Sequence, residues 1–133
     1  MDDFYIEMIS VPFTIDEAGN AFAEATGVMR FDRGQVCVEY QVKDSIFGAL
    51  KSAVKCARID VANIASADFK KSWFSGKITI KLKSVRGIEK FPTKTIGSLC
   101  FLISKSDRES AENFINALKT KISEEIIKKF DEK

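Results

Sequence analysis

Histidine is absent from the 133 residues, and that absence removes a large part of enzyme chemistry. Without an imidazole there is no Ser-His-Asp or Cys-His nucleophile pair, no His-ligated zinc, and no side chain whose ordinary pKa lies near neutrality. Carboxylates are the remaining acid and base candidates, and Asp2-Asp3, Asp16-Glu17 and Glu124-Glu125 are each adjacent in the chain. Neighbouring residues point apart on a strand or helix, so none of these pairs converges on a substrate. The expectation is a protein that is not an enzyme.

Other scarcities narrow the class. There are two prolines and seven glycines, with no low-complexity linker, so the chain reads as a single domain over 1–133. A globule of this size buries roughly 65 to 70% of the surface its unfolded chain exposes, which is enough for a core without a staple. No apolar run approaches the ~20 residues of a membrane span. The opening MDDFYIEM carries acids where a secretory signal carries positive charge, so the expected location is cytoplasmic. Cys37, Cys56 and Cys100 are odd in number and widely spaced. They fit neither a disulfide framework nor a metal knuckle, and are expected to be reduced packing residues. No GxGxxG occurs. In "GKIT" at 76–79, Lys71 stands where a phosphate-binding loop needs glycine, and Ile78 where it needs Ser or Thr. Neither cofactor nor metal is expected.

A net charge of +2 is small, but it is unevenly laid out. Arg30 is the first basic residue, after Asp2, Asp3, Glu7, Asp16, Glu17 and Glu24. Between 70 and 94, Lys70, Lys71, Lys77, Lys81, Lys83, Arg86, Lys90 and Lys94 face only Glu89. Such polarity steers an anionic partner or lets acidic and basic segments lie side by side.

Apolar alternation supplies most of the fold. Val36, Val38, Tyr40 and Val42 alternate with Cys37, Glu39 and Gln41, the period of a half-buried strand. Asp32-Arg33-Gly34 upstream suits a tight turn, so a hairpin is predicted from about Ala21 to Val42. "FYIEMISVPFTI" is another strand-like run, limited by Pro12 to an edge or a bend. A loop is expected to about Val54, then a strand near Lys55 to Ile59 and a brief turn at "VANI".

In "KKSWFSGKITIKL" (70–82), a two-residue loop at Ser75-Gly76 would pair Trp73 with Ile78, Lys71 with Ile80 and Phe69 with Leu82. Ala67, Phe69, Trp73, Ile78, Ile80 and Leu82 then face inward. Asp68, Lys70, Ser72, Phe74, Lys77, Thr79, Lys81 and Lys83 face outward, with Asp68 opposite Lys83. On this reading Trp73 is core, Phe74 is the exposed aromatic, and Lys71 snorkels at the rim.

"EKFPTK" is weakly patterned. "GSLCFLISK" is apolar enough for a strand covered on both faces. Ser106-Asp107-Arg108-Glu109 matches a capping box, followed by the stripe Ala111, Phe114, Ile115, Leu118, Ile122, Ile126 and Phe130. About seven antiparallel strands and one closing helix predict a mainly β (α+β) domain, a bent barrel capped by a long C-terminal helix.

That order of strands, with "FDRGQVCVEYQV", "IDVANIASADFKKSWFSGKITIKL" and "LCFLISKSDRESAENFINAL", resembles the pleckstrin homology-like domains, especially small bacterial ones. The likeness covers about residues 21–122, with 1–20 as an extra N-terminal strand and 123–133 as a helix extension. It implies a seven-stranded bent barrel, no intrinsic catalysis, and binding of lipid headgroups, peptides or other subunits. Phosphoinositide-binding relatives converge several cations on the first hairpin, where this chain has Arg30 and Arg33 without a lysine cluster. The fold is carried over and phosphoinositide binding is not.

Two surfaces follow. Lys70, Phe74, Lys77, Lys81 and Lys83 form an outward basic face suited to an anionic partner, or simply a solvated strand face that discourages edge pairing. A helix of about 37 Å from Ser106 to Phe130 would outrun strands of about 20 to 27 Å, leaving Ile122, Ile126, Ile127 and Phe130 as an assembly surface. The leading expectation is a protein-interaction or self-assembly module, whose partner is a protein or a second copy. The alternative is a peripheral binder of anionic membranes. A lipocalin-like small-ligand barrel and a nucleic-acid binder are disfavoured.

Overall fold

The structure, a computed structural model, describes residues 9–16, 23–44, 54–86 and 97–131. Seven strands run β1 (Ser10–Asp16), β2 (Ala23–Asp32), β3 (Gln35–Asp44), β4 (Lys55–Asp60), β5 (Ile64–Lys71), β6 (Ser75–Leu82) and β7 (Ser98–Ser104). A 3-10 turn, Lys105–Asp107, leads into helix α1 (Arg108–Asp131). The readings of 1–8, of the loop at 45–53 and of "EKFPTK" lie outside the described residues.

All seven strands form one antiparallel sheet in the order β4-β3-β2-β1-β7-β6-β5. Its two edge strands, β4 and β5, are consecutive in the chain, joined only by the three-residue 3-10 turn Val61–Asn63. Three residues reach about 10 Å, whereas flat strands at their usual spacing would hold the two edges nearly 30 Å apart. The sheet must therefore curl until its edges approach at this corner. Lys83 donates its backbone N–H to the Asn63 carbonyl at 2.8 Å, and Asn63 Nδ2 donates to the Ser84 carbonyl at 2.8 Å, tying the corner to the end of β6. No β4–β5 ladder forms among the described residues, so the expected barrel is bent but not closed.

The first hairpin turns where expected. Arg33 (φ 52°) and Gly34 (φ 79°) are both left-handed, as a type I′ turn between twisted strands requires. The β2–β3 ladder runs from Asp32↔Gln35 to Ala23↔Asp44.

Pro12 needs a correction. Its strand is not an edge: β1 lies between β2 and β7. Pro12 pairs with Val28 on the β2 side, while the β7 side is paired only at Thr14↔Leu102. A missing N–H is tolerated there because that seam is hardly laddered, and the seam joins the two halves of the sheet.

The inner face follows the alternation. Val11, Phe13, Ile15, Met29, Val36, Val38, Ile59, Ile78, Ile80, Leu99, Phe101 and Ile103 are buried. Phe13 and Phe101 meet edge to face with ring centroids 4.8 Å apart, closing the space between β1 and β7. Helix α1 lays Ala111, Phe114, Ile115, Ala117 and Leu118 onto this same core. Burying one such leucine or phenylalanine is worth about 1.5 to 3 kcal/mol. The expectation that β7 is covered on both faces fails: the helix sits on the Leu99–Phe101–Ile103 side, while Leu102 is exposed and Cys100 half-buried. The predicted capping box is also displaced. The chain coils one turn early, and Ser104 Oγ bonds Asp107 Oδ2 at 2.7 Å and meets Ser106 Oγ at 3.1 Å, so the 3-10 turn takes the place of a Ser106 cap.

Candidate functional site

The β5–β6 hairpin departs most from its expected form. Lys71 faces Gly76 rather than Ile80, a displacement of four residues; Lys70 faces Lys77, Phe69 faces Ile78 and Ala67 faces Ile80. An even displacement keeps every strand residue on its expected side, because side chains alternate with period two. A bulge between Ile64 and Ser66 then returns Ile64 to the core side. Asp68 faces Thr79 instead of Lys83, and its carboxylate meets Lys119 of α1 at 3.7 Å. Gly76 is not in the left-handed region and is not the turn.

The turn is Trp73-Phe74. Ser72 donates its N–H to the Ser75 carbonyl at 2.9 Å, and Ser72 Oγ accepts the Ser75 N–H at 3.2 Å. Arg108 Nη1, from the first turn of α1, donates to the Ser72 carbonyl oxygen at 2.7 Å. Side-chain bonds thus replace the carbonyl-to-amide bond that ordinarily closes a four-residue turn. Lys71 adds a second tie to the helix, its Nζ lying 2.9 Å from Glu112 Oε2, which places it at the rim as expected.

Trp73 is therefore not core: it is 77% exposed, and Phe74 beside it 76%. The lone tryptophan and a phenylalanine crown a turn held from three sides. Lys70 and Lys77 lie directly opposite each other on the outward face behind it, a like-charge pair that costs stability. Lys81 continues that face along β6. Lys83 lies beyond the end of β6, about 20 Å along the strand from Lys77, at the Asn63 corner rather than the tip. The hairpin thus gathers Lys70, Phe74 and Lys77 and adds Trp73, with Lys83 standing apart. The overlooked signal was S-W-F-S: a serine on each side of the aromatic pair, each able to bond the turn's backbone.

Arg30 of the first hairpin and Arg58 of the adjoining β4 are held in ion pairs. Arg30 Nη2 lies 2.7 Å from Glu39 Oε1 and Arg58 Nη1 lies 3.1 Å from Asp32 Oδ2; these bonds hold both guanidiniums above their ordinary pKa. Gln35 Nε2 donates to Asp60 Oδ1 at 2.8 Å. Between Arg30 and Arg58 in register sits Cys37, fully buried, with its Sγ 3.1 Å from Cys56 Sγ. The strand pairing brings together two of the cysteines that the spacing alone kept apart.

At the far end of α1, Ile122 packs partly buried against the core, so it belongs to the fold and not to a free surface. Ile126, Ile127 and Phe130 beyond it are exposed. A surface cleft of about 360 Å³ lies between the Arg33–Gly34 turn and α1, lined by Phe31, Arg33, Gly34, Val61, Lys121, Glu124 and Glu125. No cluster of three or more metal-ligating side chains occurs among the described residues, and no described helix is long and apolar enough to cross a membrane. Comparison with protein-family models, with curated proteins and with solved structures returned no match.

Proposed function

We propose that this protein is a non-enzymatic binding module that docks on anionic membrane surfaces through the tip of the β5–β6 hairpin. The observation that carries the reading is the exposed Trp73-Phe74 pair at a braced turn with Lys70 and Lys77 behind it. An indole and a phenyl ring at a turn match the amphipathic level between headgroups and acyl chains. Lysines add attraction to anionic lipid without demanding a fixed geometry, worth about 1 kcal/mol each near the surface. Protein interfaces are depleted in lysine, and those that recognise phosphate geometrically favour arginine. Here the nearby arginine, Arg108, is committed to the Ser72 carbonyl. The order of the two expected partners is thereby reversed: membrane before protein. The pleckstrin homology-like reading agrees with a binding module, although the first hairpin of that family is not where this surface lies.

Vesicle co-sedimentation tests it. Binding to phosphatidylserine-containing vesicles should exceed binding to phosphatidylcholine alone, fall with added salt, and drop roughly tenfold, about 1.4 kcal/mol, in Trp73→Ala. Equal affinity of wild type and Trp73→Ala for anionic vesicles would remove the hairpin tip from the account.

A second reading rests on the far end of α1, where Ile126 and Ile127 project beyond the last core contact at Ile122. A second copy of the chain is the partner that would cover them. Light scattering should then give a mass above one chain that Ile126→Lys returns to a folded monomer; a monomeric wild type would end this reading.

A further inference from the structure

Cys37 and Cys56 lie on adjacent strands, two residues off direct opposition and so diagonal to each other on one face: Cys37 faces Arg58 and Cys56 faces Glu39. Their sulfurs are 3.1 Å apart, inside ordinary sulfur contact and about 1 Å longer than a disulfide bond. Both are free thiols. Their exposures differ in a useful way. Cys37 is fully buried, while Cys56 is exposed on edge strand β4.

We propose that this pair is a redox-responsive site at which a hydroperoxide oxidant closes a reversible Cys37–Cys56 disulfide, fastening edge strand β4 to β3. Exposed Cys56 is the sulfur an oxidant in solution can reach. As a thiolate it attacks one peroxide oxygen; the O–O bond breaks, Cys56 becomes a sulfenic acid, and the other oxygen leaves as water or an alcohol after taking up a proton. Cys37 Sγ, already in contact, then attacks Cys56 Sγ. The S–S bond forms, the S–O bond breaks, and the departing hydroxide takes the Cys37 proton to leave as water. The two thiols lose two electrons and two protons, and the peroxide is reduced by two electrons. Arg30 and Arg58 lie in register with Cys37 on either side, so two guanidiniums flank the pair.

The site is set apart from the third cysteine. Cys100 is on β7, with β3, β2 and β1 between it and β4, so it serves as an internal control. The device is also independent of the hairpin tip, which occupies the other edge of the sheet.

The test is intact-mass and peptide mapping of the full chain, dilute, before and after hydrogen peroxide, with iodoacetamide added under denaturing conditions so that buried Cys37 is counted. The expected product has lost two hydrogens, carries one alkylated cysteine, maps to a 37–56 cross-link and reverts with dithiothreitol. Its melting temperature should rise on oxidation and fall back on reduction. Cys100→Ser should behave as wild type apart from that one alkylation, and Cys56→Ser should show no intramolecular link. Three alkylatable cysteines after peroxide would overturn the proposal. So would irreversible over-oxidation of Cys56 with Cys37 still alkylatable, or a cross-link found only between chains.

Discussion

Arg108 Nη1 reaches across 36 residues of sequence to the Ser72 carbonyl at 2.7 Å, fastening the start of α1 to the tip of the β5–β6 hairpin. A charged donor on a backbone acceptor is worth about 1.5 to 3 kcal/mol when shielded and less in solvent. Arg108→Ala should cost about 1 kcal/mol in denaturant unfolding and speed amide hydrogen exchange at Ser72 and Ser75. Unaltered exchange at both amides would mean that the arginine does not brace the turn.

Trp73 is the only tryptophan, which makes its environment directly readable. A solvent-exposed indole should emit nearly as it does in the unfolded chain, so unfolding followed by tryptophan fluorescence should show little spectral shift while circular dichroism reports a full transition. Trp73→Ala should change stability by no more than about 0.5 kcal/mol. A buried tryptophan would cost about 3 to 5 kcal/mol.

Among the described glycines, Gly27 lies tightest against a neighbouring backbone. A Cβ built there would lie 1.9 Å from the Glu39 carbonyl oxygen of β3, a backbone atom that cannot swing aside. Gly27→Ala should therefore destabilise by more than about 2 kcal/mol. Gly34→Ala has free space but a φ of +79°, and should cost about 1 kcal/mol. Urea midpoints of the two variants would rank them, and the reverse order would contradict the strand pairing.

The helix should show a sharp gradient of energy along its length. Leu118 is fully buried and Ile126 exposed, so Leu118→Ala should cost about 2 to 5 kcal/mol and Ile126→Ala less than about 0.5 kcal/mol in a monomer. A large penalty at Ile126, measured by thermal unfolding at several protein concentrations, would show that something covers it.

Cys37 gives the reduced protein an alkaline signature. Burial, and then the contact with Cys56, push its thiol from the ordinary 9.0 up to about 11. The folded state holds the proton to higher pH than the unfolded state does. The neutral thiol's contribution is thus complete below pH 9 and is lost as pH rises through about 11. The shift corresponds to about 2 to 3 kcal/mol. The stability gap between wild type and Cys37→Ala, measured under reducing conditions, should narrow by about that much from pH 8 to pH 11. A constant gap would show that the thiol's titration is not linked to folding.

Periodicity alone determined which faces of these strands are apolar. Val36, Val38 and Tyr40 were legible as core, as were Ala67, Ile78 and Ile80, because alternation is a property of neighbouring residues and survives any even change of register. The Arg33–Gly34 turn was legible too, since its backbone demands residues that accept positive φ. The apolar stripe of α1 was written in its spacing, and so was the excess of helix length over strand length.

Register, seam and contact belong to the tertiary structure. Alternation does not separate a turn at Ser75-Gly76 from one at Trp73-Phe74, because both keep the same strand faces inward; the second is held by the Ser72–Ser75 bonds and by the Arg108 and Glu112 ties from a helix some forty residues away. The same holds for Pro12, acceptable inside the sheet because β1 and β7 meet at a single register pair, and for Cys37 and Cys56, distant in sequence until β3 and β4 align them. The composition ruled out histidine chemistry, and the alternation marked a mainly β domain. The lone tryptophan stands at the tip and not in the interior because alternation leaves two registers of equal polarity, and the turn's own serine bonds together with the distant Arg108 and Glu112 hold one of them.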